Sequence, residues 1–181
     1  MKGYTNTTRD LKTETAAFDP TQRKWLEAQG YEGYRDEELA RFGRWTRFAP
    51  AICAAIGIVG TALASATVIW VLTGVALLGA TLPLHPFDLI YNRFLRERLG
   101  TGKLPHHGLP RRFACTVATV WLLTTGWMFY AGHDLAGYIL GSLFVVTAGI
   151  PAVIGFCVPS FIYRQVEMVL QNLRRKPLPN K

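Results

Sequence analysis

Three cysteines are the residues in this sequence with the clearest capacity for chemistry. Cys53, Cys115 and Cys157 are scattered through apolar stretches, with no C-x-x-C pair and no metal-site spacing. An odd, scattered set does not make a disulfide framework, so we predict in the first place that they fill space as small hydrophobic side chains. The alternative is thiol redox chemistry, which would need a basic neighbour that only the fold could supply.

The histidines give a weaker indication of chemistry. His106 and His107 fall in a stretch rich in Pro and Gly, and His85 lies between two prolines. Metal binding by these three side chains is conceivable, but no carboxylate or cysteine completes a recognisable pattern. We therefore predict no metal and no cofactor, while a bound lipid or pigment stays open.

Two long segments with almost no charge must position these residues. No Asp, Glu, Lys or Arg occurs between Arg47 and Asp88, and between Arg112 and Arg164 there is only Asp134. Uncharged apolar runs of this length are typical of membrane-spanning helices. The sequence therefore predicts an integral membrane protein.

The number of spans is decided by the breaks in these runs. The second run divides at residues 132–134 into spans over 113–131 and 135–158. The first run, residues 49–82, is longer than one span needs and shorter than two full spans. Its least apolar stretch, residues 64–67, lacks the Gly or Pro that usually marks a tight turn. Apolarity alone thus leaves one long helix or two short ones.

The distribution of basic residues favours two short helices over one long helix in the first run. Lys and Arg number nine in residues 1–48, six in 83–112 and five in 159–181, and none falls in the two proposed turns. Basic flanks stay cytoplasmic. We therefore predict an all-α fold with four transmembrane helices as two hairpins and with both termini cytoplasmic.

Three parts follow from this layout. Residues 1–48 form a polar N-terminal extension with an amphipathic helix that Asp36 would cap and that would run to about Phe48. Residues 49–158 form the membrane domain, with a central loop at 83–112. Residues 159–181 form a basic amphipathic helix and tail, and amphipathic stretches in all three basic segments predict contact with anionic lipids or a partner. The predicted interface residues are Phe42, Trp45, Phe87, Ile90, Tyr91, Arg93, Phe94, Arg96, Arg111, Arg112, Arg174 and Arg175.

Helix packing has its own pattern in the last span. Gly137 and Gly141 form G-x-x-x-G, and small residues four apart allow helices to approach closely in lipid. We expect these two glycines to lie against a neighbouring helix.

One short motif carries a resemblance to a known family. Residues 109–114 read Leu-Pro-Arg-Arg-Phe-Ala and open the third span. Together with the paired short spans, this resembles a family of small bacterial four-span integral membrane proteins of unknown function, over roughly Trp45 to Ser160. The resemblance implies the four-span layout and an inner membrane, and it supplies no catalytic residues.

Taken together, these features favour a non-catalytic protein. We expect an accessory or assembly subunit of a larger bacterial membrane complex, with a respiratory or photosynthetic host, whose partners are other membrane subunits and anionic lipids rather than nucleic acid. The alternatives are a membrane thiol-redox or sulfur-handling protein that uses Cys53, Cys115 and Cys157, and a carrier of a neutral solute, because the proposed spans contain no charge.

Overall fold

The computed structural model describes residues 18–99 and 101–175, and its regular elements over these residues are all helical. The helices are α1 (Pro20–Ala28), α2 (Asp36–Phe42), α3 (Phe48–Ala62), α4 (Ala66–Thr81), α5 (Pro86–Ile90), α6 (Arg96–Leu99), α7 (Leu109–Tyr130), α8 (Asp134–Val153) and α9 (Val158–Arg175). A 3-10 turn at Gly43–Arg47 joins α2 to α3, and a π-helical turn at Tyr91–Leu95 joins α5 to α6. The all-α prediction is confirmed for this part of the chain.

Four long helices form an antiparallel bundle. Helix α4 packs along α7 and α3 packs along α8, while α3 also contacts α4 and α7 contacts α8. Short connections at 63–65 and 131–133 make each sequential pair antiparallel. The helix α3 contributes the half-buried Cys53 and Ile56 to the bundle core, and the buried apolar side chains of the core come from the other three helices: Ile69, Leu72, Ala76, Leu122, Phe129 and Phe144.

The first apolar run is two helices. Helix α3 ends at Ala62, Ala64 adopts a positive φ of 44°, and the Ser65 hydroxyl accepts a hydrogen bond from the Val68 N–H at 3.4 Å to begin α4. A left-handed alanine costs about 1–2 kcal/mol, a cost that a glycine at this position would avoid. The serine cap and the apolar packing of α3 on α4 compensate for it.

Several helices have the length and apolar composition of membrane spans. Three segments in the described residues meet both conditions: Asp36–Ala62, Leu109–Tyr130 and Asp134–Val153. A fourth exists if α4 and the helix that follows it, Pro86–Arg98, count as one span bent by 79°. The outward side chains support this, because large apolar residues such as Val71, Val120 and Val146 are more than 60% exposed.

A second, smaller core closes one end of the bundle, where α3 and α7 begin and α4 and α8 end. This loop-rich end is built from α1, α2, α5, α6 and residues 101–108 around a cluster of buried side chains: Leu26, Tyr31, Leu39, Phe42, Tyr91 and Leu104. Arg47 donates to the carbonyl of Val153 at 2.7 Å, and Arg112 donates to the carbonyl of Thr81. These two guanidinium groups satisfy free carbonyls at the C-terminal ends of α8 and α4.

Three expected boundaries were wrong. The last span ends at Val153 rather than at residue 158, because Pro151 lies in its final turn and Gly155 takes a positive φ of 83° that turns the chain into α9. Arg35, not Asp36, occupies the N-cap position of α2. That helix does not run as one α-helix to Phe48, because the 3-10 turn intervenes.

The predicted amphipathic face of the central loop is also different. The π-helical turn at Tyr91–Leu95 shifts the side-chain register. Tyr91 is fully buried, while Phe94 is 63% exposed. One continuous apolar face over this segment is therefore not formed.

Gly137 and Gly141 both lie at close contacts. A Cβ atom at Gly137 would lie 2.5 Å from Cε1 of Phe129 in α7, and one at Gly141 would overlap the Thr61 side chain of α3. The absence of side chains at these positions allows α8 to approach both neighbouring helices.

Candidate functional site

The three cysteines line one cavity at the loop-rich end of the bundle. Cys53 comes from α3, Cys115 from α7 and Cys157 from the segment between α8 and α9, and all three are free thiols of intermediate exposure. The cavity has a volume of about 130 Å³, and its remaining polar lining comes from His85, Arg111 and Thr147. We call it the thiol cavity.

Helix geometry places the three cysteines at the same end of the bundle. Cys53 and Cys115 each lie about one and a half turns from the start of a long helix, and α3 and α7 begin at the same end of the bundle. Cys157 directly precedes α9, and its carbonyl accepts the Phe161 N–H at 3.0 Å. The Cys115 sulfur borders the same small volume beside Gly79 as the His85 ring, which in turn contacts Cys53. Ser160, which contacts Cys157, donates to a carbonyl in the first turn of α7, the helix that carries Cys115.

His85 is the basic neighbour that the sequence did not reveal. Its Nε2 lies 4.0 Å from Cys53 Sγ, while its Nδ1 accepts a hydrogen bond from the Phe87 N–H at 3.4 Å. A ring nitrogen that accepts a hydrogen bond carries no proton, so the ring proton of His85 is on Nε2. His85 therefore points an N–H donor at the Cys53 sulfur, at the distance of a weak N–H···S hydrogen bond.

Gly79 leaves the space in which His85 and Cys115 meet. A Cβ atom at this position in α4 would lie 2.5 Å from His85 Cδ2 and 3.2 Å from Cys115 Sγ. The imidazole of His85 and the thiol of Cys115 thus border the same small volume, and any side chain at residue 79 would displace one of them.

The polar wall of the thiol cavity is Arg111, which belongs to a buried ion pair. Arg111 Nη2 lies 3.2 Å from Asp88 Oδ2, with side-chain exposures of 6% and 2%. Arg111 also donates to the Tyr31 hydroxyl and, at 3.3 Å, to the Thr46 carbonyl. Since a lone buried charge is very unfavourable, the pair must be kept together. Arg111 is neutralised by Asp88, so this wall brings no net charge to the cavity.

Two groups outside the spans complete this network. His107 Nε2 lies 3.2 Å from the Gly79 carbonyl, and burial together with the charge of Arg111 lowers the pKa of His107 from 6.5 to about 4. Burial also raises the pKa of Tyr31 to about 12. Both groups are therefore neutral at pH 7, and the His107 ring donates Nε2–H to the carbonyl.

Ser160 is the hydrogen-bonding partner of Cys157. Its hydroxyl oxygen lies 3.2 Å from Cys157 Sγ and 3.1 Å from the Pro110 carbonyl. One hydroxyl hydrogen can serve only one of these acceptors at a time. Ser160 can therefore accept from a Cys157 thiol while it donates to Pro110, or turn its hydrogen to a Cys157 thiolate.

The arrangement suits dithiol–disulfide chemistry better than metal binding. Over residues 18–99 and 101–175 no three His, Cys, Asp or Glu side chains are placed to hold a metal ion. His106 is exposed, whereas His85 and His107 are buried with different partners. The three thiols, by contrast, share one cavity with a hydrogen-bond donor and a charge-balanced wall.

The predicted interface residues fall into two groups. Phe42, Tyr91 and Arg111 were expected at a partner or lipid interface, and this was wrong because all three are buried inside the chain. Arg111 is inside because it pairs with Asp88. Trp45, Phe87, Ile90, Arg93, Phe94, Arg96 and Arg112 are half-buried or exposed, and the side chains of Arg174 and Arg175 lie outside the described structure.

Sequence reasoning missed Asp88, Tyr31, His107, Ser160 and Gly79 as neighbours of the thiol cavity. Only Asp88 had a usable signal, since it is the first charge after a run of forty uncharged residues and it follows a proline at a helix start. The others are common residue types in loops or helices, and only the fold brings them to the cysteines.

Comparison with known proteins adds a family and no function. Residues 43–168 match the model of a family described as a domain of unknown function, DUF4395. None of the curated proteins matches the chain. The solved structures also give no match.

Proposed function

The chain belongs to the DUF4395 family, a family of unknown function, and we propose that it is a membrane thiol-redox protein that works through its three cysteines. The observation that carries this proposal is the convergence of Cys53, Cys115 and Cys157 on one cavity beside His85. Three thiols on three separate segments have no common packing reason to meet at the same point.

In this proposal Cys115, which lines the cavity and borders the His85 ring, is the thiol that two disulfides share. Oxidation of Cys53 and Cys115 breaks two S–H bonds, forms one S–S bond and passes two electrons and two protons to an acceptor. A Cys157 thiolate can then attack Cys115 Sγ, so that a Cys115–Cys157 disulfide forms and Cys53 leaves as a thiolate. The Nε2–H of His85 faces that leaving sulfur, and Ser160 faces the attacking one.

The direct test is a disulfide map of the purified full-length protein. Treatment with diamide should give an intramolecular Cys53–Cys115 or Cys115–Cys157 disulfide, identified by mass spectrometry of peptides under non-reducing conditions. Cys115→Ser should abolish both disulfides, while Cys53→Ser and Cys157→Ser should each leave one. If diamide yields no disulfide within the chain, the proposal is wrong.

The membrane arrangement is part of the same proposal. We place α3, α4, α7 and α8 as four spans in a bacterial inner membrane, with the loop-rich end and both termini in the cytoplasm. The basic residues support it, since they concentrate in 1–48, 83–112 and 159–181. Helix α4 is about 24 Å long, so the membrane must thin locally or the bent continuation must complete the span.

Sidedness can be measured with single cysteines in a variant that lacks the native three. Lys103→Cys, in the exposed loop at the loop-rich end, should resist an impermeant maleimide in intact cells and react after permeabilisation. Ala131→Cys, in the opposite turn, should react in intact cells. The reverse pattern would contradict the arrangement.

A second candidate function is the accessory subunit of a larger membrane complex. It is favoured by α9, whose apolar side chains are exposed along its length: Phe161, Ile162, Val166, Met168, Val169, Leu170 and Leu173. Purification in a mild detergent followed by mass spectrometry would test it, and recovery only as a monomer would count against it. A triple Cys→Ser variant separates the two functions, since only the redox protein loses activity while assembly is retained.

A carrier of a neutral solute stays a hypothesis, which a flux assay in proteoliposomes would address.

A further inference from the structure

The thiol cavity adjoins a groove on the outer surface of the bundle. This outer groove has a volume of about 420 Å³ and is lined by Thr116, Val117, Val120, Trp121, Thr124 and Leu140. Val117 and Trp121 line the thiol cavity as well. These two side chains therefore lie between the small internal space beside the cysteines and the groove on the lipid-facing surface.

Trp121 forms the partition between the two spaces. Its indole N–H donates to the Leu140 carbonyl at 3.0 Å, which fixes the ring between α7 and α8. The groove beyond it is apolar, and Val120 within it is 62% exposed. A hydrocarbon chain that lies in the groove would replace lipid contacts with equivalent protein contacts, so the groove suits the tail of a lipid-soluble molecule.

The charge of the thiol cavity selects a neutral molecule. Asp88 balances Arg111, and the remaining wall is apolar or carries neutral thiol, imidazole and hydroxyl groups. An anionic sulfur compound or a phospholipid head group would find no unpaired positive charge to offset its desolvation. A cavity of about 130 Å³ is close in volume to engineered apolar cavities of about 150 Å³ that admit one aromatic ring.

We propose that the thiol cavity binds the ring of an isoprenoid quinone, that the outer groove holds the start of its tail, and that the quinone oxidises the Cys53–Cys115 pair. This inference rests on the proposed function. Two S–H bonds break and one S–S bond forms, while the two quinone carbonyl oxygens each gain one electron and one proton to give the quinol. The quinone class meets three requirements at once: a neutral ring, a hydrocarbon tail and the capacity to accept two electrons.

Fully substituted quinones provide the test, because their rings have no free position for thiol addition. The purified, reduced full-length protein is mixed without oxygen with decylubiquinone, which has a tail, or with duroquinone, which has none. Quinol formation is followed by absorbance and free thiols are counted by mass-tagged maleimide. We expect two thiols lost per quinol formed, and no reaction above background for the triple Cys→Ser variant.

Variants in the groove test where the tail lies. Thr124→Trp, outside the cavity lining, should raise the KM for decylubiquinone about tenfold and leave that for duroquinone within twofold. Val71→Trp places the same bulk on the exposed face of α4 and should change neither. Equal KM changes for the two quinones in Thr124→Trp would overturn the placement of the tail.

The two proposals fail in different ways. If diamide forms the Cys53–Cys115 disulfide but decylubiquinone is reduced no faster than by the triple Cys→Ser variant, the quinone is excluded and the thiol-redox function stands. If neither reagent forms a disulfide, both proposals are overturned. Faster quinone reduction by Trp121→Ala than by the parent protein would further support the indole as the partition.

Discussion

The imidazole Nε2 of His85 lies 4.0 Å from the sulfur of Cys53, although the two residues are 32 positions apart in the chain. Because Nδ1 of the same ring accepts the Phe87 N–H, the nitrogen that faces the sulfur carries the proton. The ring therefore acts on Cys53 as a hydrogen-bond donor in the state that the structure shows.

Removal of this donor should slow the reaction of Cys53. We expect His85→Ala to lower the rate of Cys53 alkylation by N-ethylmaleimide about tenfold, because the thiolate loses its stabilising N–H. The rate is measured by peptide mass spectrometry in a variant that retains only Cys53. His106→Ala, at an exposed histidine of the same end, is the control and should leave the rate unchanged. An equal rate in His85→Ala and the parent protein would show that the imidazole has no influence on the thiol.

The Arg111–Asp88 pair makes a prediction about stability. Arg111→Ala leaves the Asp88 carboxylate buried without a partner, so we expect the free energy of unfolding in detergent to fall by about 3–5 kcal/mol. Arg112→Ala removes a neighbouring charge that donates to the carbonyl of Thr81 at a helix end and should cost about 1 kcal/mol. The double variant Arg111→Met with Asp88→Leu removes both charges and should be more stable than Arg111→Ala. If the double variant is the less stable of the two, the buried charges are not the source of the loss.

Gly79 and Gly74 form a matched pair on one helix. A methyl group at Gly79 would meet His85 and Cys115, whereas one at Gly74 would meet no atom within 4 Å. Gly79→Ala should therefore destabilise the protein by about 1–3 kcal/mol and reduce the reactivity of Cys53 through displacement of His85. Gly74→Ala should be neutral or slightly stabilising, because alanine favours the helix by up to about 1 kcal/mol. Thermal unfolding and alkylation kinetics give both readouts, and equal behaviour of the two variants would contradict the close contact.

His107 predicts a dependence of stability on pH. Its pKa falls from 6.5 to about 4 on folding, so the unfolded chain binds a proton that the folded chain excludes between these values. Stability is then fully present above pH 6.5 and is lost as the pH falls toward 4. His107→Gln, whose amide can still donate to the Gly79 carbonyl, should weaken this loss in chemical unfolding measured from pH 7.5 to 4.5. Parallel pH profiles for parent and variant would exclude His107 as the titrating group.

The helices were predictable because the apolar runs that indicate them are long. The run between Arg47 and Asp88 has no charged residue and the run between Arg112 and Arg164 has only Asp134, so dozens of residues in each indicate the same kind of helix. The division of the first run into two helices rests instead on an unusual turn. Ala64 takes the left-handed conformation that glycine usually adopts, and Ser65 caps the next helix. Only the distribution of basic residues indicated that division in the sequence.

The site could be predicted only in its cysteines. Their positions near the same ends of their helices follow from the span assignment, because depth in a bundle is a function of distance along each helix. Which faces of those helices meet is set by packing, and His85 reaches Cys53 through a proline-flanked turn with no periodic pattern. Arg111 was placed at an interface because the sequence does not show that Asp88 neutralises it.

His85 performs two tasks with one ring, since it also caps the first turn of α5, the helix that carries Asp88. Asp88 lies three residues further on, which is about 4.5 Å along the helix axis. The imidazole cannot rotate away from the sulfur without releasing the helix start, and a shift of that start would carry the carboxylate with it. Displacement of the imidazole from Cys53 would therefore also release the first turn of the helix that holds Asp88 beside Arg111.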